Sequence, residues 1–263
     1  MNNHFILSLG RSGSNQLVDL INQHPNLLNY GEVLGEWIAM RRLQRRIGIF
    51  RNNDARWLDF LLKNRMPFYS AQAVRAVHQL QRGDRPEIKA RKTVSSLGVK
   101  ESSLNLYRFG LGNYLFERPW LKIISLRRLS ALDRTVSSLM LHDTGVVLAH
   151  KHGPDTRRAP VVIEPARFVR TLNAVAEENA ELDRITAALP SERVHRMSYE
   201  ETFTDPEALP KRIDELYRFL DVDCFEPRIR MRKILPRNPA EVIANFSDCR
   251  DAAMSAGLER LLS

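Results

Sequence analysis

FILSLGRSGSNQLVDLINQHP, residues 5–25, passes from a short apolar run through a Gly/Ser-rich turn into an amphipathic helix. Phe5–Leu9 has strand length, and Leu17, Leu20 and Ile21 recur at helical spacing until His24-Pro25 closes the segment. Gly10 and Gly13 let the chain turn tightly, and the helix that follows points its free N–H groups and positive dipole end into the turn. Ser14 and Asn15 add side-chain donors, and Arg11 adds a planar, permanently charged fork. Such a junction is an anion cradle. A Walker A loop requires a lysine directly after its last glycine. Here Ser14 follows Gly13 with no lysine near, which removes support from ordinary kinase or ATPase chemistry. The plainer alternative is a strand–turn–helix junction with Ser or Asn as N-cap.

Further apolar runs of strand length occur at Leu97–Lys100, Leu121–Leu126 and Val194–Met197, and a short strand is expected to end at Leu28. Between them lie helical patterns over Ala131–Leu139, Arg167–Leu189 and Pro206–Leu220. This alternation predicts an α/β fold: a single domain with a central, mostly parallel sheet covered by helices on both faces. Residues 35–95 fit this pattern least and read as a helical insertion, while HKHGPDTRRAP (150–160) reads as an exposed loop.

Ligands of parallel α/β sheets bind beyond the carboxyl ends of the strands. After LKIISL come Arg127 and Arg128, then a helix carrying Ser137, and an arginine and a serine so placed can grip one phosphate together. A surface arginine pair is the alternative. Glu32 stands between Gly31 and Gly35 on a loop after a strand, where a carboxylate serves as general base toward a hydroxyl, or alternatively caps a helix starting near Gly35. Lys100 lies at a strand's carboxyl end, either facing the same crevice to stabilise charge on a leaving phosphate or pairing with Glu101.

With 263 residues and a formal net charge of +9, the chain is long enough for one large domain and favours anionic partners. The arginine-dense MRRLQRRIGIFR (40–51) reads either as a solvated helix face or as an anion-attracting rim. Nucleic acid is disfavoured, because the basic residues are not interleaved with aromatics in an RNA-binding strand pattern. Cys224 and Cys249 have no metal-ligand spacing and predict no disulfide framework and no zinc site. No apolar run has transmembrane length, and MNNHFILSL lacks a basic n-region, so the expected location is the cytoplasm; a trimmed targeting segment is the alternative.

Taken together, these segments resemble the sulfotransferases that use 3'-phosphoadenosine 5'-phosphosulfate (PAPS). FILSLGRSGSNQLVDLINQHP resembles the family's 5'-phosphosulfate loop, and LKIISLRRLSALDRTVSSL its 3'-phosphate segment. NYGEV and LGVKESS resemble the acidic loop and lysine-bearing strand of the bacterial carbohydrate branch, and the C-terminal tail RKILPRNPAEVIANFSDCRDAAMSAGLERLL (232–262) resembles the bacterial relatives of the nodulation-factor and trehalose sulfotransferases. VHRMSYEETFTDPEALPKRIDELYRFLDVD resembles the strand, Tyr-Glu and closing helix that precede the C-terminus. The resemblance implies a P-loop-like sulfotransferase fold, PAPS as donor, no metal, and a carbohydrate or lipid-linked glycan as acceptor. Arg11, Ser12, Gly13, Ser14 and Asn15 would hold the 5'-phosphosulfate; Arg128 and Ser137 would hold the 3'-phosphate. Glu32 would be the general base, with Arg11 and Lys100 assisting electrostatically. The Arg128-to-Ser137 interval is one residue longer than the common spacing and the Arg127 interval two longer, so both arginines stay candidates. The Arg-Lys-Gly loop of the cytosolic relatives is absent, with Arg232-Lys233 or Arg237 as replacements. Trp37, Trp57, Phe60, Phe68 and Tyr69 either line the acceptor site or pack within the insertion. The competing readings are a degenerate phosphate-loop kinase and a non-catalytic binder of nucleic acid or anionic glycan.

Overall fold

A computed structural model of the chain describes residues 2–36, 38–50, 53–81, 83, 85–144, 159–231 and 238–262. Among the described residues five strands form one sheet: β1 (Asn2–Ser8), β2 (Leu27–Asn29), β3 (Ser96–Ser102), β4 (Leu121–Arg127) and β5 (Val194–Ser198). Their order is β2-β3-β1-β4-β5, and every pairing is parallel. Ile6 on β1 lies opposite Lys100 on β3 and Ile124 on β4. From β1 the chain runs to the edge strand β2, returns to β3 beside β1, and then crosses to β4 and outward to β5. The carboxyl ends of β1 and β4 therefore flank the point where the strand order reverses, which is where open α/β sheets take their ligands.

Alternate strand residues feed two cores. Phe5, Leu7, Val99 and Ile123 pack against α3 (Asp54–Lys63) and α7 (Pro165–Ala187). Ile6, Ile124 and Met197 pack against α1 (Ser14–Gln23) and α8 (Ala208–Phe219). A third cluster joins α7 to α6 (Ala131–Thr144) and α9 (Phe246–Ser255) through Val136, Leu139, Phe168, Leu172 and Ala253. The remaining helices are α2 (Ala39–Ile47), α4 (Arg65–Gln81) and α5 (Ser103–Arg108).

The strands are longer than their apolar runs. β1 begins at Asn2 because polar His4 is satisfied inside the sheet: its Nδ1 lies 2.7 Å from Ser96 Oγ and its Nε2 3.1 Å from Asn29 Nδ2. β4 takes in Arg127. Within the arginine-dense segment Arg41 is fully buried, where it donates 3.0 Å to Gln44, pairs with Asp54 and faces the ring of Phe109. Neither a solvated face nor an anion-attracting rim describes that residue. Trp57 and Phe68 are core residues, Tyr69 is exposed, and Trp37 lies outside the described residues. Most of the 150–160 segment also lies outside them. Cys224 and Cys249 are free thiols, one exposed and one buried.

Candidate active site at the carboxyl ends of β1, β3 and β4

The turn after β1 is built by backbone that L-residues rarely adopt. Arg11 has φ 65° and Gly13 φ 82°. A left-handed arginine costs about 1–2 kcal/mol and persists only where its surroundings hold it. Three contacts do so here. Buried Ser12 donates its hydroxyl to Leu9 O at 2.7 Å. Arg134 on α6 donates Nε to Gly10 O at 2.9 Å, while its other nitrogens reach Val175 O, Asn179 and Glu178 on α7. Arg128 Nη1 donates to Arg11 O at 3.3 Å. The helix itself opens with Gly13, whose carbonyl accepts from Gln16 N and Leu17 N at 3.0 and 3.1 Å. No side chain caps α1 and no acidic residue sits in its first turn, so its N-terminus is directed at the turn without local competition. Gly13, rather than Ser14 or Asn15, occupies the N-cap.

Arg11 Nε donates to Ser137 Oγ at 2.8 Å, joining the β1 turn to α6. Arg128 lies alongside: its Nη2 meets Asp133 at 2.7 Å, its guanidinium stands 4.8 Å from the Tyr199 ring centre, and Glu200 lies 3.8 Å from its Nε. Burial first, and then the neighbouring Arg128, push the Arg11 guanidinium below its ordinary value. An anion bound beside half-buried Arg11 and buried Arg128 would offset the repulsion between these two cations. Glu200 accepts from the N–H groups of Leu129 at 2.9 Å and Ser130 at 3.3 Å, which fixes the turn after β4.

Ser137 bonds Arg11 rather than Arg127 or Arg128. Of that pair, Arg128 belongs to the cluster. Arg127 is turned away to Asp183 at 2.9 Å, with its side chain 42% exposed. The physical reason is strand alternation: consecutive residues at the end of β4 leave the sheet on opposite sides.

Glu32 and Lys100 meet across β3. Lys100 Nζ lies 2.7 Å from Glu32 Oε1 and donates to Asn15 Oδ1 at 2.6 Å, linking the acidic loop to the first turn of α1. Lys100 is nearly inaccessible at 4%, whereas Glu32 keeps 35% of its side chain exposed and is open to a second reactant. Lys100 does not pair with Glu101, and Glu32 caps no helix. Glu101 leaves the opposite face of β3, fully buried, and accepts from Val33 N at 2.6 Å, Leu34 N at 2.7 Å and Asn105 Nδ2 at 2.9 Å. Burial pushes its carboxyl up, and these donors hold it down. Gly31, at φ 74°, anchors the other end of the loop: its carbonyl accepts from Lys100 N at 2.9 Å and its N–H donates to Asn29 Oδ1 at 2.8 Å.

Hydrogen bonds and an ion pair thus link Arg11 to Ser137 and Arg128, and Asn15 to Lys100 and Glu32, around the turn that carries Ser12, Gly13 and Ser14. Arg232-Lys233 and Arg237 lie outside the described residues. In the sequence Arg134 has no marked role, Glu101 figures only as the alternative partner of Lys100, and Tyr199-Glu200 only as the Tyr-Glu of the family resemblance. Arg134 stands three residues before Ser137, one helical turn away, and Glu101 follows Lys100, so both signals were spacing signals. Among the described residues no group of three or more His, Cys, Asp or Glu is placed to hold a metal ion, and no helix is long and apolar enough to cross a membrane. The arrangement can seat a multiply charged anion at the end of α1 and present a carboxylate beside it.

No protein-family model and no curated protein matches the sequence. Similar solved structures include a sulfotransferase from Alicyclobacillus acidocaldarius, 17% identical over 97% of this chain and 96% of that one, with a TM-score of 0.43. The sulfotransferase domain of the Synechococcus PCC 7002 olefin synthase is 20% identical over 86% of this chain and 74% of that one, at 0.45. The sulfotransferase domain from the curacin biosynthetic pathway is 21% identical over 86% and 75%, at 0.42.

Proposed function

We propose that the chain transfers the sulfuryl group of PAPS to an acceptor hydroxyl, on a carbohydrate or glycolipid. The observation that carries the proposal is the bond from Arg11 to Ser137, with Arg128 alongside. It makes one basic cup from the β1 turn and the β4–α6 segment, the two places where the sequence resembles the 5'- and 3'-phosphate contacts of that family. The carbohydrate acceptor rests on NYGEV, LGVKESS and the C-terminal tail, which resemble the bacterial carbohydrate branch.

In this reading the α1 N-terminus, Arg11 and Ser12–Asn15 receive the phosphosulfate, and Arg128 and Ser137 receive the 3'-phosphate. Glu32 takes the proton of the acceptor hydroxyl as its oxygen bonds to sulfur. The bond between sulfur and the phosphate oxygen breaks, and 3'-phosphoadenosine 5'-phosphate leaves. Lys100, between Glu32 and Asn15, holds the base at the edge of the anion cradle and offsets charge there. Catalysis then depends on positioning and on preformed donors rather than on a covalent intermediate.

Titration calorimetry with 3'-phosphoadenosine 5'-phosphate tests the donor site: binding by the wild type and weakened binding by Arg11→Ala are expected. ATP with magnesium binding in preference to the bisphosphate would overturn the assignment in favour of a kinase. Transfer of labelled sulfate from PAPS to a panel of glycans and glycolipids tests the acceptor class.

A further inference from the structure

The charge of this molecule is unevenly spread. Residues 35–95 hold 14 Lys and Arg against 5 Asp and Glu, a net of +9, which is the net charge of the whole chain; the remainder is balanced, 26 against 26. The same segment carries nine of the sixteen large apolar side chains that stand exposed among the described residues. On α2, Leu43 and Ile47 are each 57% exposed, one turn apart, flanked by exposed Arg42 and Arg46. On α4, Met66, Val74, Val77 and Leu80 recur at helical spacing on the face opposite buried Phe68 and Gln72, and all four are exposed. Between α2, α3 and α4 an apolar groove of about 230 Å³ opens among Leu43, Ile47, Ile49, Phe60 and Met66. Beside it, Arg65, Tyr69, Arg91 and Lys92 line an open basic cleft.

We infer that α2–α4 form a docking surface for an anionic lipid bilayer, with the aliphatic residues entering the headgroup boundary and the arginines pairing with lipid phosphates. An apolar face rimmed by arginine is the signature of an interfacial helix. A second copy of this chain is a poor occupant, because it would bring two +9 surfaces together. Nucleic acid is a poor one too, because the exposed apolar residues here are aliphatic apart from Tyr69 and give bases no stacking platform. The inference does not depend on the proposed sulfuryl transfer.

The test is co-sedimentation of the full chain with vesicles of equal parts phosphatidylcholine and phosphatidylglycerol, against vesicles of phosphatidylcholine alone. Pelleting with the anionic vesicles only, falling as salt rises, is expected. Arg42→Gln/Arg46→Gln should lower partitioning roughly thirtyfold, each charge near an anionic surface being worth about a factor of five. Leu43→Ser/Ile47→Ser/Met66→Ser should abolish pelleting while keeping the wild-type melting curve, since all three positions are exposed; if the triple variant fails to fold, Met66→Ser alone should reduce it. Three outcomes overturn the inference: no pelleting with anionic vesicles, equal pelleting with both kinds, or anionic pelleting that ignores the serine substitutions. A dimer in light scattering that those substitutions dissociate, with vesicles ignored, would assign the surface to self-association instead.

Discussion

Glu32 is about one-third exposed and ion-paired to a buried lysine, so its neighbours fix the carboxylate while one side stays open to a reactant. Glu32→Gln keeps the shape and removes the proton acceptor. Its turnover should fall by about two to four powers of ten, the usual span for a general base, with bisphosphate affinity retained. Near-wild-type turnover would remove Glu32 from the base role. The two arginines after LKIISL separate just as sharply. Arg128→Ala deletes a buried cation of the cup and should weaken bisphosphate binding by about 1.5–3 kcal/mol, the range for hydrogen bonds to charged groups. Arg127→Ala removes only an exposed pair with Asp183 and should leave affinity unchanged. Equal losses in calorimetry would contradict the geometry. At Gly13 two costs combine, because φ is +82° and an added Cβ would lie 2.5 Å from Tyr199 Cδ2. Gly13→Ala must displace the Tyr199 ring from Arg128, so a lower melting temperature and weaker bisphosphate binding should appear together.

At the scale of elements, β3 works through alternation: Lys100 serves the crevice, and the next residue, Glu101, holds the chain that carries Glu32. Glu101→Ala leaves the N–H groups of Val33 and Leu34 buried without an acceptor, at about 1–3 kcal/mol each. Hydrogen exchange at those two amides should quicken and turnover should drop. Glu101→Gln, whose Oε1 can still accept both, should restore both readouts; failure of that rescue would deny the positioning role. The same alternation explains what was legible in the sequence. The strand-end residues Arg11, Glu32 and Lys100 could be picked out because an apolar run fixes where a strand stops to within a few residues. Their partners could not, because adjacency in sequence suggests Lys100 with Glu101 and Arg127 with Arg128, whereas a pleated strand sends neighbours to opposite faces. β1 reads as shorter than it is, since the burial of His4 depends on Ser96 and Asn29, which come from two other strands. In α2, burial of Arg41 depends on Gln44 and Asp54, and a helical arginine repeat carries no sign of which arginine turns inward.

For the molecule as a whole, a buried histidine at the middle of the sheet couples stability to pH. Asn29 Oδ1 accepts from Gly31 N, which orients the amide so that its Nδ2 donates to His4 Nε2. Nε2 is therefore the acceptor, and Nδ1 carries the hydrogen donated to Ser96 Oγ. A Cβ on Gly98 would overlap the same imidazole, so the ring has no space in which to move. Protonation would set a second N–H against the Asn29 amide in a fully buried site, and burial pushes the His4 pKa from 6.5 down to about 3. In the unfolded chain the ring titrates near its ordinary value. Between these two values the unfolded state binds a proton that the folded state refuses. The stabilisation is thus fully present above pH 6.5 and is lost progressively as pH falls toward 3, at about 1.4 kcal/mol per pH unit. Denaturant midpoints measured from pH 7 to pH 4.5 should fall accordingly. His4→Gln keeps an amide able to bond both Asn29 and Ser96 but cannot titrate. It should be less stable at pH 7 and show a shallower fall on acidification; an unchanged slope would place the acid sensitivity in the carboxylate pairs instead.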